Sequence, residues 1–391
     1  MIIGQDITVI GAGVAGLATG IALAQRGAKV RILEQAESIR EIGAGLQISP
    51  NGFAVLKALG LGEAILKVAV RANAVELRDY KNSKQVLRLD LAGLASDQHY
   101  LFVHRADLIE MLATAARDVG VQIRLLQKIQ SVTERDGGGY CINTAQGGEH
   151  KASCLIGADG IHSAIRQFLN GASAPFFTHQ VAWRATVPND ADVAHKVQVH
   201  MGPGRHIVGY PLRGGELINI VAVQEKQAWV EESWTKKDDP DHLRAIFSDF
   251  APSVRSLLSR IEEVHQWGLF RHSVAKTWYR GQAAILGDAA HPTLPFLAQG
   301  ACMALEDAWV LAESLAQTDE ISAGLAQYQS KRKDRVTRVV DAATKNAWRY
   351  HLSFPPLRFA THTALRTAGA LAPSMAIRQF DWLYRTDVTK A

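Results

Sequence analysis

"DITVIGAGVAGLATGIALAQRGAKVRILE", residues 6–34, contains a β-rich run, a glycine turn, an apolar helix and a second β-rich run. The spacing predicts a strand over 6–10, a helix from about Val14 to Gln25 and a strand over 29–34, a βαβ unit, so a parallel sheet is expected. Gly11, Gly13 and Gly16 stand in G-x-G-x-x-G order at the turn. Gly11 permits the tight turn, Gly13 lets the backbone approach a pyrophosphate, and Gly16 lets helix and sheet pack closely. The helix N-terminus then offers unpaired N–H groups and a positive dipole end to phosphates. Alone, this pattern is weak. Glu34, eighteen residues past Gly16, strengthens it. A carboxylate at the end of the second strand can accept hydrogen bonds from a ribose hydroxyl pair. The rival reading of Glu34 is a solvated strand end. An adenine dinucleotide is expected, with NAD and FAD both open at this point.

The chain has 391 residues, enough for two domains at roughly 150 residues each. Its net charge is +5, but the basic residues are scattered, with "KRKDR" (331–335) the one tight cluster. A nucleic-acid binder gathers them on one element more often, so nucleic acid is not an expected partner. The three cysteines, Cys141, Cys154 and Cys302, have no metal-ligand spacing. Their odd, sparse count argues for a reducing compartment, against a disulfide framework and against a zinc site; no metal is expected. Residues 7–24 mimic a signal peptide, yet no basic segment precedes them and their glycines sit at dinucleotide-binding spacing. A cytoplasmic protein with no membrane partner is expected.

Farther along, "RADLIEMLATAARD" (105–118) has helical spacing, and 121–126 reads as a strand. Two alternating runs near 129–134 and 139–144, joined by "RDGGG", read as a hairpin. "KASCLIGADG" (151–160) is a buried strand ending in an acidic glycine corner. From about 175 to 275 strand-like runs dominate (181–188, 196–201, 206–212 and 217–224), an antiparallel sheet inserted into the first domain. "QAAILGD" (282–288) returns to a buried strand. The helix after it carries Ala301, Ala304, Leu305, Ala308, Leu311, Ala312 and Leu315 on one face. The last 50 residues read as mostly helical, broken at "FPPL" (354–357).

Two acidic corners favour FAD over NAD. "GADG" (157–160) and "GDAAHP" (287–292) both follow apolar strands, and a plain NAD-binding domain needs neither. FAD needs support far from its first loop. Asp288 can hydrogen-bond a ribitol hydroxyl. The helix beginning near Gly300 and Ala301 can aim its amides at the flavin pyrimidine, where negative charge develops on reduction. The rival reading is an aspartate that merely caps a turn.

Taken together, "GAGVAG", "GADGIHSAIR" and "GDAAHPTLPFLAQGACMALEDA" resemble the single-component FAD-dependent aromatic hydroxylases, a group with salicylate hydroxylase, 3-hydroxybenzoate 6-hydroxylase and 6-hydroxynicotinate 3-monooxygenase. The resemblance covers nearly the whole chain. It implies an α/β fold: a Rossmann-type FAD-binding domain (1–72, 98–174 and 275–345), an inserted, mainly antiparallel β-sheet substrate domain (73–97 and 175–274), and a C-terminal helical segment (346–391). It implies tightly bound FAD, with NADH or NADPH as transient reductant. No second G-x-G-x-x-G occurs, so the reductant has no Rossmann domain of its own. The resemblance further implies that Arg105 in "VHRADL" contacts FAD, that Asp159 supports FAD and NAD(P)H binding, that "GAGLQISPN" (43–51) is a loop near the isoalloxazine, and that the Pro295 backbone faces flavin and substrate.

The implied reaction is NAD(P)H- and O2-dependent hydroxylation of a phenolic aromatic or N-heteroaromatic acid, the oxygen delivered by a flavin hydroperoxide. Such chemistry needs an electron-rich ring and a group that deprotonates the phenol. His206 in "GRHIVGYPLRGGE" is the candidate base, since imidazole titrates near neutrality. Tyr210, four residues on, can bind a carboxylate or phenol. Both also read as inward-facing strand residues with satisfied polar tips. Gln47 can touch substrate or flavin. Arg184 in "AWRATVP" reads equally as a substrate-carboxylate partner or a structural arginine. His291 reads as structural, and the aromatics from Trp348 to Phe359 as helix packing or part of a dimer contact, so monomer and homodimer both stay open. Three rivals remain: a flavin-dependent reductase or dehydrogenase without oxygen insertion, a non-catalytic flavin-bound sensor or partner protein, and an enzyme for a non-carboxylate substrate such as a polycyclic or urate-like ring.

Overall fold

A computed structural model describes residues 2–39, 45–189, 194–228 and 237–390. Its first sheet has six strands, in the order 279–280, 283–285, 154–157, 6–10, 29–33 and 122–124. All neighbours run parallel except the edge strand Tyr279–Arg280. The helix Val14–Ala24 is buried along almost its whole length. It lies against the strand Lys29–Leu33 and the helices Arg105–Asp118 and Gly300–Gln317, which explains a sequence apolar on every face.

This strand order accounts for the spacing of the motifs along the chain. The strands ending at Ile10, Gly157 and Ile285 are neighbours, so the glycine turn, "GADG" and "GDAAHP" emerge side by side at one edge. Glu34 follows the next strand over. Open parallel sheets bind ligands beyond the carboxyl ends of their strands. A groove of about 800 Å³ lies at the opposite ends of these strands, lined by Asp6, Lys29, Gln122, Ser153 and Gln282. None of the motif residues lines it.

The second sheet has eight strands, in the order 237–238, 264–271, 176–188, 217–225, 205–212, 196–202, 74–79 and 85–90. Pairing is antiparallel except between 196–202 and 74–79. Side chains alternate between its faces, as the two-residue period of a strand requires. Trp183, Ile207, Ile218 and Ile220 pack with Phe247, Val254 and Leu258 on the outer face. Arg184, His206, Val208, Tyr210, Val221 and Trp267 line a cavity on the other.

Several expectations need correction. The stretch 176–271 is not all sheet and turn: helices Pro240–Ile246 and Pro252–Ser259 cover the outer face. Each opens on a proline at its first position, where the missing N–H costs nothing. Residues 43–51 are not a plain loop. Gly45–Ile48 is a strand paired with Leu101–His104, and Pro50 opens the helix Pro50–Ala58; residues 43 and 44 lie outside the described residues. The hairpin 129–134/140–144 gains a third strand, Glu149–Ala152. The C-terminal part is helical, with Ile321–Tyr350 followed by Pro355–Leu371. Its aromatics divide: Tyr350 packs on Phe296 and His206 as helix packing requires, whereas Trp348, Phe354 and Phe359 are 61%, 65% and 72% exposed. Among the described residues no helix is long and apolar enough to cross a membrane.

Candidate active site

The glycine turn is built as its spacing requires. Gly11 has φ +98°, and a Cβ there would stand 2.5 Å from the Ala158 carbonyl oxygen. A Cβ on Gly16 would stand 1.9 Å from the Gly11 carbonyl oxygen, so helix and turn meet in backbone contact. Above Gly13 nothing lies within 4 Å. The helix that starts there has no side-chain cap and no acidic residue in its first turn, so its leading N–H groups remain for an anion. Glu34 Oε2 accepts from the Ala12 N–H at 2.6 Å and Oε1 from the Ala36 N–H at 2.8 Å. The carboxylate thus braces the turn as well as ending the strand.

The two acidic corners are tied together. Arg166, buried in the helix after "GADG", donates to the carbonyls of Ala289 and Ala290 at 3.0 and 3.1 Å. Asp159 caps that helix, accepting from Ser163 Oγ at 2.5 Å and from the Ala164 N–H at 2.8 Å. Its neighbours Ala158 and Gly160 line the cavity, and Asp159 itself does not. Asp288 does line it, as does Arg105. Burial pushes the Asp288 carboxyl up, against the pull of His291 and Arg105.

Beneath this corner lies a buried ionic network. Arg332 donates to Asp307 at 2.7 Å and to Glu306 at 2.6 Å, and Arg335 donates to Glu306 at 2.7 Å. Asp307 also accepts from the Gly287 N–H at 3.1 Å and pairs with His291. His291 is buried and stacked near Trp278, in the structural position expected of it. Asn51 donates to Glu306 at 2.7 Å and to Gln299 at 3.1 Å, which pins the start of the helix Gly300–Gln317. That helix also begins without a side-chain cap, and Gly300 and Ala301 open onto the cavity. Ala298, just before it, holds a left-handed φ of +52°, a strained conformation for alanine and the kind that clusters at ligand sites.

One cavity of about 420 Å³ joins these parts, reaching from Gly13 through Arg105, Asp288, Pro295 and Gly300 to the inner face of the second sheet. His206 there is 1% exposed. Its Nδ1 lies 2.7 Å from His351 Nε2, and His351 Nδ1 lies 3.0 Å from Glu225 Oε1. Burial, then the neighbouring His351, holds the His206 imidazolium far below the ordinary histidine range. Tyr210 is buried beneath the strand Gly45–Ile48, hydrogen-bonded to Gln47, and burial pushes its phenol well up, so it serves as a neutral hydrogen-bonding group. Gln47 Oε1 accepts from the Tyr100 hydroxyl at 2.7 Å. Arg184 lies over the Trp267 ring, 4.8 Å from its centroid. Burial lowers its pKa to about 10, so it stays charged at neutral pH.

The structure thus brings Gly13, Gln47, Arg105, Arg184, His206, Tyr210, Asp288, Pro295, Gly300 and Ala301 to one cavity; Gly11, Gly16, Glu34 and Asp159 do not line it, the first three building the glycine turn and Asp159 the helix start after "GADG". Sequence reading missed His351, Glu225, Tyr350 and Trp267. Their signal was faint, because the His206–His351 contact spans 145 residues. Among the described residues no group of three His, Cys, Asp or Glu side chains is placed to hold a metal.

The residues fit a flavin dinucleotide: open space over a glycine turn, two uncapped helix N-termini, and a facing aspartate and arginine. This fold and site define a flavin-binding protein. The chain belongs to the FAD binding domain family, which matches residues 5–343. It is 32% identical to the 3-amino-4-hydroxybenzoate 2-monooxygenase PtmB3 of Streptomyces platensis, over 97% of this chain and 95% of that one. It is 33% identical to the 3-hydroxybenzoate 6-hydroxylase of Polaromonas naphthalenivorans (strain CJ2), over 88% of each. Among solved structures it resembles Klebsiella pneumoniae HpxO complexed with FAD and uric acid, with a TM-score of 0.84 and 28% identity over 95% of this chain and 96% of that one.

Proposed function

We propose that the chain is an NAD(P)H-dependent FAD monooxygenase that hydroxylates a phenolic aromatic or N-heteroaromatic acid. The observation that carries this reading is the single cavity lined both by the uncapped helix start at Gly300 and Ala301 and by His206, Tyr210 and Arg184. When bound, FAD would supply the oxygen-activating centre, with NADH or NADPH as its reductant. The Gly11–Gly16 turn and its helix hold the pyrophosphate, Glu34 the ribose, and Asp288 and Arg105 the ribitol side. Residues 73–97 and 175–274 form the substrate domain. Arg184 holds the substrate carboxylate, which fixes the ring in one orientation. His206 takes the phenol proton and leaves an electron-rich phenolate. Tyr210 and Gln47 donate and accept hydrogen bonds at the ring's polar edge. Val208, Val221 and Trp267 exclude water from the reacting carbon.

The test is NADH and NADPH oxidation with O2 uptake by the yellow protein, over salicylate, 3- and 4-hydroxybenzoate, 6-hydroxynicotinate and uric acid, with products identified by mass. One compound that accelerates reductant loss and gains one oxygen atom supports the reading and names the substrate. Reductant consumed without stoichiometric O2 means a reductase. Protein that stays colourless after reconstitution with FAD overturns the proposal.

A further inference from the structure

We propose that His206, His351 and Glu225 form a proton relay that carries the substrate's phenolic proton from the closed cavity to solvent, with His351 and Glu225 as positioning residues acting through His206. This rests on the phenol-hydroxylating reading and adds to it the route by which the proton leaves.

The geometry sets the direction. Glu225 is a carboxylate, acceptor only, so the 3.0 Å contact to His351 puts a proton on His351 Nδ1. His351 Nε2 is then the acceptor in its neutral ring, and the 2.7 Å contact makes His206 Nδ1 the donor. That leaves His206 Nε2 as the unprotonated, basic nitrogen of a residue that lines the cavity. The terminal carboxylate thus chooses the tautomer of a base two residues away, as orienting carboxylates do elsewhere. In the step itself, the phenol O–H breaks and its proton bonds to His206 Nε2. The proton on His206 Nδ1 passes to His351 Nε2, and that on His351 Nδ1 passes to Glu225 Oε1. No charge remains on the imidazoles.

Such a path meets a need. His206 is too deeply buried to hold an imidazolium, so a proton it accepts has to move on. At the other end, the Glu225 side chain is 49% exposed and can release it to water, whereas the His351 side chain is 1% exposed. The hydrogen bond from His351 holds the Glu225 carboxyl below its ordinary range before the transfer, so Glu225 waits as the ionised acceptor. All three residues are anchored at one turn. The Gly204 N–H donates to the His351 carbonyl at 3.1 Å, the Glu225 N–H donates to the Gly204 carbonyl at 2.8 Å, and His206 lies two residues on. The rings that pack on His206 are Phe296, Tyr350 and His351. Of these, Tyr350 is held neutral, its phenol pushed up to about 12 by burial. His351 is the titratable group in contact with both His206 and Glu225.

The test has two arms on FAD-loaded protein. The first is nitrogen-15 NMR of labelled histidines, assigned with His206→Gln and His351→Gln. The relay requires His206 and His351 each to carry their proton on Nδ1 at neutral pH, and Glu225→Ala, which removes the acceptor, to abolish that preference. A proton found on His206 Nε2 overturns the proposal, as does a tautomer pattern indifferent to Glu225→Ala. This arm needs no substrate, so it stands or falls apart from the monooxygenase reading. The second arm uses whichever phenolic acid of the panel drives hydroxylation. Glu225→Gln should lower kcat by about tenfold or more with KM nearly unchanged, shift the pH profile, and raise the solvent deuterium isotope effect. Acetate should restore part of the loss in Glu225→Ala, whose site is open to water. An unchanged pH profile and isotope effect with only a lower melting temperature would make the trio a structural clasp and overturn the relay.

Discussion

Gly13 and Gly16 sit three residues apart in one motif, yet the structure gives them opposite tasks, and replacing each with alanine separates the two. Gly13 has φ −75° and ψ −174°, allowed for any L-residue, and nothing within 4 Å of a built Cβ. Gly13→Ala therefore costs the empty protein nothing in contacts. By narrowing the unfolded chain it should stabilise by about 0.4–1 kcal/mol. The added methyl stands in the space that a pyrophosphate needs. Losing one charge-assisted hydrogen bond there costs about 1.5–3 kcal/mol, roughly a 10- to 100-fold weaker FAD dissociation constant. Gly16→Ala is the reverse case. Its Cβ would stand 1.9 Å from the Gly11 carbonyl oxygen, a backbone atom that cannot swing aside. Overpacking of this kind costs about 1–3 kcal/mol in the empty protein, and FAD binding suffers only as a consequence. The assay is thermal melting of flavin-free protein beside an FAD titration followed by flavin fluorescence quenching. A Gly13→Ala protein that binds FAD as tightly as the parent would refute a phosphate site at this turn. One that melts early would refute the account of open space above Gly13.

The remaining predictions concern the cavity and the network beneath it. His206→Gln should lower the hydroxylation rate by about 10²–10⁴-fold while FAD stays bound; an unaltered rate with the identified substrate would move the base elsewhere. Arg184→Gln should raise KM for a carboxylate-bearing ring by about 10- to 100-fold, the loss of one ionic hydrogen bond, and leave KM for the decarboxylated analogue unchanged. Asp307→Asn removes a charge from buried Arg332 and a strong acceptor from Gly287 and His291. It should cost about 3 kcal/mol, read as a lower unfolding midpoint and faster loss of FAD from the shifted 287–292 loop. Burial alone would raise the Glu306 and Asp307 pKa values, but arginines 332 and 335 around Glu306, and His291 and Arg332 around Asp307, outweigh it and lower both. Their stabilisation is therefore present above the unfolded carboxylate pKa of about 4 and lost as pH falls through the lower folded values. Unfolding midpoints measured from pH 6 down to 3 should fall less steeply in Asp307→Asn than in the parent.

How much could be read in advance depended on how local each signal was. The glycine turn, the acidic corners and the helix at Gly300 each announce themselves within a few residues, because strand, turn and helix start are local events. That they converge also followed from the sequence, since each ends a buried strand and parallel strands end together. Alternation exposed His206 and Tyr210 as same-face residues, and 205–212 is indeed one strand. What escaped was long-range or masked. Arg332 and Arg335 looked like part of a basic surface cluster, yet they are the counter-ions of a buried carboxylate pair. A helix with charges every few residues gives no sign of which charge meets another element. The helices at 240–246 and 252–259 were lost in a strand-rich region because each is barely two turns long, although Asp239-Pro240 is a helix start in miniature.

The same distinction explains why His206 was found and its partners were not. A histidine on a strand facing a cavity suggests a base, but a buried imidazole by itself holds a proton poorly, so its position alone does not make it one. The second imidazole comes from the end of the helix Ile321–Tyr350, and the carboxylate comes from the end of the strand Leu217–Glu225. These meet only because the C-terminal segment folds back against the Gly204 turn of the inserted sheet. The C-terminal helices are thus part of the chemistry's support: they close the cavity with Tyr350 and Tyr384, and they bring the group that gives His206 its direction. A truncation ending before Trp348 should on this account keep the glycine turn and the cavity-lining residues Asp288 and Gly300 in the chain. It would still lose the tautomer that makes His206 a base.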